Sequence, residues 1–217
     1  SFVSNILSCG WPSASYDAWW ECQDESAAYA HYAKCVQLIG SNDPGKRWLL
    51  KNPGHIDNLD LLFAVFPYAR VIQTHRDPAK AIPSLVSLLM QTAPIMENPE
   101  RAALRGPIMM RREVAKWAAA VERCDTVREH HDGQVLDVVH ADFHANPMGV
   151  LERIYDFIGW DIPEDTRAGF AQRIEEKPEM SHGVHRYSIT DYGMTEDEAR
   201  EPFADYIERY DLLEPRG

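Results

Sequence analysis

Three short apolar segments alternate with longer helical patterns, and this alternation constrains the fold more than any other feature of the chain. The segments cover residues 46–51 (KRWLLK), 70–75 (RVIQTH) and 134–139 (QVLDVV). Each is apolar or β-branched at its centre and bounded by turn residues, which predicts a buried strand. Strands that alternate with helices form a parallel sheet with helices on both faces. The sequence therefore predicts an α/β fold of three layers with these segments as neighbouring parallel strands.

Helical patterns occupy the stretches between and after these strands. They predict helices over residues 25–39, 55–66, 78–91, 107–130, 147–158, 165–176 and 196–210. Pro83 lies inside the third of these helices, where it predicts a kink or an irregular turn. A chain of 217 residues can bury one sizeable core, so we expect one domain over residues 1–217.

Charge and composition exclude several classes of protein. The formal net charge of -12 argues against non-specific nucleic-acid binding, which requires a basic face. The longest apolar run is far shorter than the roughly 20 residues that span a bilayer, and residues 1–20 lack the features of a signal peptide. The four cysteines show no CxxC pair and no metal-ligand spacing, so reduced thiols in a cytoplasmic protein are expected.

One segment imitates the phosphate-binding loop pattern GxxxxGK[ST]. Gly40, Gly45 and Lys46 match it, but Arg47 occupies the last position. A phosphate-binding loop leaves a strand and opens a helix, whereas this segment leaves a predicted helix and opens a predicted strand. A tight turn at residues 43–45 is therefore the better interpretation.

Arg76 follows the second predicted strand and marks a better anion site. Asp77 can cap the next helix and Pro78 suits its first turn. A helix N-terminus beside a guanidinium favours phosphate, and Ser84 lies about two turns along the same helix. The alternative is an ordinary salt bridge from Arg76 to Asp77 or Asp137.

Three blocks of sequence carry a family resemblance. They are residues 51–55 (KNPGH), 66–88 (FPYARVIQTHRDPAKAIPSLVSL) and 185–195 (HRYSITDYGMT). Together they resemble the bacterial sulfotransferase family, whose patterns are roughly K-x-P-x-H, then F-P-x-A-x5-H-R-D-P-x5-S, then H-x-Y-S-x-x-D-F/Y-G. The resemblance implies a P-loop-hydrolase-like fold and sulfuryl transfer from 3′-phosphoadenosine 5′-phosphosulfate to a hydroxyl of a small molecule or lipid, without a metal. Residues 1–45 would then lie on the acceptor side. The sequence is also compatible with a homo-oligomer.

The resemblance also assigns roles to individual residues. It implies that His55 takes the acceptor proton and that Lys51 places positive charge by the bridging oxygen. It implies that Arg76 and Ser84 hold the 3′-phosphate. The C-terminal loop with His185, Arg186 and Tyr187 would close over the nucleotide. The alternatives are that His55 caps a helix and that Lys51 only ends a strand.

One departure from the family pattern affects the functional prediction. Family members carry a Gly/Ser/Thr-rich basic loop near the N-terminus that cradles the 5′-phosphosulfate, and nothing in residues 1–40 resembles it. The chain therefore resembles a C-terminal portion that lacks the N-terminal strand and donor loop. A non-catalytic scaffold that keeps the fold is the alternative function; a nucleotide kinase is a third, which the absent phosphate-binding loop disfavours.

Several other residues suggest sites for which a simpler role is the better interpretation. His75 points away from Arg76 on an extended chain and is predicted to be a hydrogen-bonded core residue. His140 and His144 have the i, i+4 spacing of zinc ligands, but no third ligand accompanies them. Trp11, Trp19 and Trp20 could line an acceptor pocket or fill a core.

Overall fold

The computed structural model describes residues 14–91, 99–176 and 188–213 of the chain. The helices are α1 (Ala14–Glu21), α2 (Ser26–Gly40), α3 (Leu59–Val65), α4 (Pro78–Met90), α5 (Pro99–Arg128), α6 (His140–Ala145), α7 (Pro147–Ile158), α8 (Glu164–Glu176), α9 (Glu196–Arg200) and α10 (Ala204–Tyr210). The strands are β1 (Val71–His75) and β2 (Val135–Val139), and 3₁₀ helices cover Pro53–Asn58, Ile189–Tyr192 and Glu201–Phe203. The α/β class predicted from the sequence is confirmed as a small parallel sheet with many helices.

The sheet places the carboxyl ends of both strands at one edge. β1 pairs with β2 in parallel, from Val71 opposite Val135 to His75 opposite Val139. Parallel strands need a long crossover connection, which α4 and α5 provide here. The residues that follow the two strands, Arg76 and His140, therefore leave the same edge of the sheet.

The prediction of a strand at residues 46–51 is wrong. Within the described ranges the sheet has two strands, and residues 46–52 have no regular secondary structure. Leu49 is 91% exposed, and no strand in the described part of the chain lies beside this segment. Arg47 holds the segment against the end of α7, where its guanidinium lies 4.8 Å from the ring centroid of Trp160. An apolar run becomes a strand only when a partner supplies the hydrogen bonds.

The predicted helices are present, with differences at proline residues. The segment at residues 55–66 begins as a 3₁₀ helix, and α5 starts eight residues earlier than predicted, at Pro99 rather than Pro107. The last predicted helix is divided into α9, a 3₁₀ turn and α10. Pro202 lies in that turn, and a proline there removes a backbone donor and crowds the preceding turn. The short helix α6 was not predicted.

Two apolar clusters form the core, and α5 contributes to both. One lies between α4, α5 and the C-terminal elements, and the other lies between α2, α3 and the second half of α5. Ile56 packs against both clusters, so the 3₁₀ helix at Pro53–Asn58 is anchored on two sides. Although α5 has 30 residues, no helix in the described part of the chain is long and apolar enough to cross a membrane.

His75 is the core histidine that the sequence predicts. It is fully buried, and its Nε2 lies 2.7 Å from Oδ1 of Asp137 while its Nδ1 lies 3.1 Å from the Tyr206 hydroxyl. Arg128 donates to the other Asp137 oxygen over 2.7 Å. Burial alone would raise the pKa of Asp137, but the bonds from His75 and Arg128 outweigh it and lower this pKa to about 2. The network ties β1, β2 and α10 together.

Replacing Asp137 by Asn should lower the free energy of unfolding at pH 7. An amide has an NH2 donor in place of one of the two acceptor oxygens, so it cannot accept from His75 and Arg128 at both positions. We expect a loss of about 1–2 kcal/mol, because hydrogen bonds to charged groups contribute more than neutral ones but the Asp137 side chain is partly exposed. Urea denaturation measures the loss, and Asp161→Asn, at an exposed position, is the matched control.

The same substitution should also change how the free energy of unfolding depends on pH. A carboxylate with a lowered folded-state pKa stabilises the fold above its unfolded value and loses that contribution as the pH falls toward 2. The Asp137→Asn difference from wild type should therefore shrink between about pH 4 and pH 2. A difference that stays constant over this range would contradict the assigned network.

Candidate functional site

Arg76 lies at the carboxyl edge of the sheet without a carboxylate partner in the described ranges. Its side chain is exposed. Asp77 binds Arg200 of α9 over 2.6 and 3.1 Å, and Asp137 binds Arg128 and His75. Neither of the salt bridges considered as alternatives for Arg76 is therefore formed.

The C-terminal elements support the backbone around Arg76. The Tyr206 hydroxyl accepts a hydrogen bond from the Arg76 backbone N–H and also contacts His75. Arg200 binds Asp77, and Lys80 forms an ion pair with Glu196 at the start of α9. The turn between β1 and α4 is thus fixed, while the Arg76 guanidinium stays accessible.

The first turn of α4 uses its own backbone donors. Asp77 accepts from the N–H of Ala79 through its side chain, at 2.9 Å, and from those of Lys80 and Ala81 through its carbonyl. Pro78 has no N–H to offer. An anion at this helix start would therefore depend on the Arg76 side chain rather than on free helix amides.

His140 lies beside Arg76, as the strand register requires. Although His140 is exposed, the partial burial of its ring lowers its pKa, and the nearby Arg76 guanidinium and His144 lower it further. A lowered pKa keeps the imidazole neutral near pH 7. This edge of the sheet therefore carries the positive charge of Arg76 and, next to it, an imidazole whose lowered pKa favours the neutral form.

His140 and His144 lie on one face of α6, as their spacing predicts. Their Nε2 atoms are 3.1 Å apart. In residues 14–91, 99–176 and 188–213, no group of three or more His, Cys, Asp or Glu side chains is arranged to hold a metal ion. Among the described residues, the pair thus has no further protein ligands that would complete a zinc site.

Ser84 lies on α4, two turns after Arg76 in the chain, and its side chain is partly exposed. Its neighbours Ile82, Pro83 and Val86 are buried, so Ser84 is on the side of the helix that leaves the core. Its assignment to phosphate binding stays a prediction.

Lys51 and His55 lie on either side of a cap formed by Asn52. The Asn52 side chain accepts from the Gly54 N–H over 3.0 Å and starts the 3₁₀ helix at Pro53–Asn58. His55 is inside that helix and is therefore not its cap. Lys51 is exposed and precedes the cap, and since residues 46–51 form no strand, it does not end one either.

His55 is held in an aromatic pocket between the 3₁₀ helix and α2. Its Nδ1 lies 2.9 Å from the Tyr29 hydroxyl, and the rings of Tyr29 and Tyr32 are 5.7 and 5.8 Å from its own. Burial lowers the pKa of His55 below its usual value. A neutral imidazole with one nitrogen already bonded is suited to accept a proton at the other.

The third sequence block is described only from Ser188 onward, so His185, Arg186 and Tyr187 lie outside the described residues. Ser188 and Asp191 form a reciprocal cap for the 3₁₀ helix at Ile189–Tyr192. Tyr192 packs against Gly106 of α5 so closely that a β-carbon there would lie 2.8 Å from the tyrosine ring. The residues that follow the predicted nucleotide loop are thus anchored on α5.

Two of the three tryptophans near the N-terminus belong to an aromatic group on α1. Trp19 and Trp20 lie on α1 and form an aromatic group with Tyr16, in which Trp19 is 53% exposed. Trp11 lies outside the described residues. A role in acceptor binding stays a prediction.

Sequence reasoning missed Tyr29 and Arg200, and it did not connect His140 with Arg76. Tyr29 is remote in sequence from His55, and Arg200 is remote from Asp77, so no local pattern joins them. His140 carried a usable signal, because ligands in α/β proteins lie beyond the carboxyl ends of strands and His140 directly follows one.

Comparisons with known proteins identify the family of the chain. The model of the sulfotransferase family matches residues 12–164. The crystal structure of sulfotransferase STF9 from Mycobacterium avium is 29% identical, with a TM-score of 0.81, and the match covers 94% of this chain and 52% of that one. Sulfotransferase STF1 from Mycobacterium tuberculosis H37Rv is 32% identical, with a TM-score of 0.72 and coverages of 88% and 48%.

The chain therefore spans about half the length of the solved structures that it matches. No sequence among the curated proteins matches it. The family model alone covers more than half of the 217 residues, including the segments that carry His55 and Arg76. The chain belongs to the sulfotransferase family.

Proposed function

We propose that the protein transfers a sulfuryl group from 3′-phosphoadenosine 5′-phosphosulfate to the hydroxyl of a small-molecule or lipid acceptor. The acceptor oxygen bonds to sulfur as the bond from sulfur to the phosphate oxygen breaks. The proton passes to His55, and 3′-phosphoadenosine 5′-phosphate leaves with the electron pair. Such a transfer depends on charge stabilisation and in-line positioning.

The arrangement at Arg76 carries this proposal. An exposed guanidinium at the carboxyl edge of a parallel sheet, with both nearby carboxylates bound elsewhere, suits a phosphate group. Ser84 would add a hydroxyl donor to the same 3′-phosphate. His185, Arg186 and Tyr187 would complete the nucleotide site from the C-terminal loop. The net charge of -12 does not oppose this, because charges beyond roughly 10 Å are largely screened.

His55 supplies the base in this proposal. An alcohol is a poor nucleophile, so its proton must be taken as the new bond forms. Burial lowers the pKa of His55, which favours the neutral imidazole, and its position inside the 3₁₀ helix anchored by Ile56 gives it a fixed place. Lys51, four residues earlier and exposed, would stabilise negative charge on the bridging oxygen.

The donor's 5′ side would need a further loop. Nothing in residues 1–40 resembles the donor loop of the family, and the chain corresponds to about half of its solved relatives. We propose that a polypeptide outside these 217 residues supplies the strand and loop of the complete three-layer domain. Residues 1–45 would then face the acceptor.

A transfer assay tests the reaction directly. With the donor and a panel of phenols and alcohols, we expect formation of 3′-phosphoadenosine 5′-phosphate that requires both acceptor and protein. The assay should be run on this chain alone and with any longer form of the protein. Absence of transfer from every form would refute the proposed reaction.

A nucleotide-binding protein without transfer activity is the second candidate. Two observations favour it: nothing in residues 1–40 resembles the donor loop of the family, and the chain matches only about half the length of the solved sulfotransferases. Nucleotide binding by calorimetry without product formation would support this candidate over the enzyme.

A further inference from the structure

Tyr29 makes a hydrogen bond that the proposed reaction does not yet explain. Its hydroxyl lies 2.9 Å from Nδ1 of His55, although the two residues belong to different elements, α2 and the 3₁₀ helix at Pro53–Asn58. Tyr29 is 7% exposed and packs in the core cluster that also contains Leu59 and Phe63. A buried ring held in this way gives the hydroxyl a fixed position.

A second hydrogen bond joins the same two elements. Glu25, one turn before Tyr29, accepts from Nδ2 of Asn58 over 3.0 Å, while Asn58 ends the helix that carries His55. Two parallel contacts fix the position of α2 along the 3₁₀ helix. The distance between Tyr29 and His55 is therefore set by the packing of both elements and not by the flexibility of one side chain.

The tautomer of His55 decides whether it can act as a base. A neutral imidazole carries one N–H and one lone pair. A base that works through Nε2 must hold its proton on Nδ1, and that N–H then needs an acceptor. We propose that Tyr29 is a positioning residue whose hydroxyl oxygen accepts from Nδ1–H and so keeps the Nε2 lone pair available for the acceptor proton. The inference rests on the proposed role of His55 in sulfuryl transfer.

The surroundings of Tyr29 suit a hydrogen-bond acceptor that stays uncharged. Burial raises its phenol pKa far above the usual value, and the carboxylates of Glu25 and Asp60 raise it further. The oxygen therefore keeps its proton, and a neutral phenol oxygen has lone pairs with which it can accept from Nδ1–H. When His55 gains a proton, both ring nitrogens become donors, and Tyr29 can continue to accept from Nδ1.

Other titratable groups around this pair are few in the described ranges. They are Glu25, Tyr32, Asp57 and Asp60, and Asp57 is paired with Arg123 of α5. These carboxylates raise the pKa of Tyr29, whereas the pKa of His55 is lowered by its burial.

Nitrogen-15 NMR of the histidine rings tests the inference without any assay of turnover. In the wild-type chain at pH 7.5, His55 should be in the Nδ1–H form. Tyr29→Phe removes only the hydroxyl oxygen, so it should shift His55 toward the Nε2–H form while the fold, followed by backbone shifts, persists. Tyr32→Phe is the matched control, because Tyr32 touches His55 through its ring, and it should leave the tautomer unchanged.

The outcomes separate this inference from the reaction itself. Where transfer is measurable, Tyr29→Phe should lower kcat by about tenfold, the scale on which outer partners tune a functional histidine, and should move the acid limb of the pH profile. The Nδ1–H tautomer in a protein that transfers nothing would support the contact and contradict the reaction. An Nε2–H tautomer in the wild type, or a tautomer that Tyr29→Phe leaves unchanged, would overturn the positioning role. The wild-type spectrum decides even if the variant does not fold.

Discussion

Replacing His55 by Ala in an active preparation should lower kcat by about 10²–10⁴-fold with almost no change in donor affinity. The loss follows from removing the group that takes the acceptor proton. The acid limb of the rate profile should disappear with it, since that limb reports the neutral imidazole. Because burial lowers the pKa of His55, the wild-type limb should lie below about pH 6.5.

The same variant also separates catalysis from structure. Asn52 caps the 3₁₀ helix, so loss of His55 removes no cap. It leaves the Tyr29 hydroxyl without its ring partner, which should cost only about 1 kcal/mol of stability. His130→Ala, at an exposed position after α5, is the matched control and should leave kcat unchanged. A His55→Ala enzyme with kcat within about threefold of wild type would remove His55 from the reaction.

The sequence predicted elements well wherever local chemistry decides them. β1 and β2 were found because β-branched residues between turn signals are typical of buried strands. The start of α4 was found because Asp77 and Pro78 satisfy the needs of a helix N-terminus locally. Such features depend on neighbours in the chain, which the sequence displays.

The strand prediction for residues 46–51 is wrong for the opposite reason. Its apolar centre is typical of a strand, yet Leu49 is almost fully exposed and no neighbouring strand is described beside it. Whether an apolar run is paired depends on distant parts of the polypeptide. The same limit applies to the candidate site. Arg76 and His55 were found through the motifs that contain them, whereas Tyr29 and Arg200 act through contacts that folding alone creates.

Replacing Arg76 by Ala should weaken binding of 3′-phosphoadenosine 5′-phosphate by about 10- to 150-fold, equivalent to about 1.5–3 kcal/mol for a charge-assisted hydrogen bond. The first turn of α4 offers no spare backbone donors, so the helix should compensate little for the lost guanidinium. Calorimetry at fixed salt measures the change, because electrostatic binding weakens as ionic strength rises.

A comparison of two nucleotides localises the effect to the 3′-phosphate. Adenosine 5′-monophosphate lacks that group, so its affinity should be nearly equal in wild type and Arg76→Ala. The wild-type preference for the 3′-phosphorylated nucleotide should largely vanish in the variant.

Arg173→Ala, which removes an exposed arginine near the end of α8, controls for the loss of one positive charge from an acidic protein. It should leave both affinities unchanged, because a distant exposed charge is screened by salt. If Arg76→Ala weakened the two nucleotides equally, the guanidinium would contact a part common to both, and the 3′-phosphate assignment would be wrong. If it weakened neither, the carboxyl edge of β1 would not be the nucleotide site.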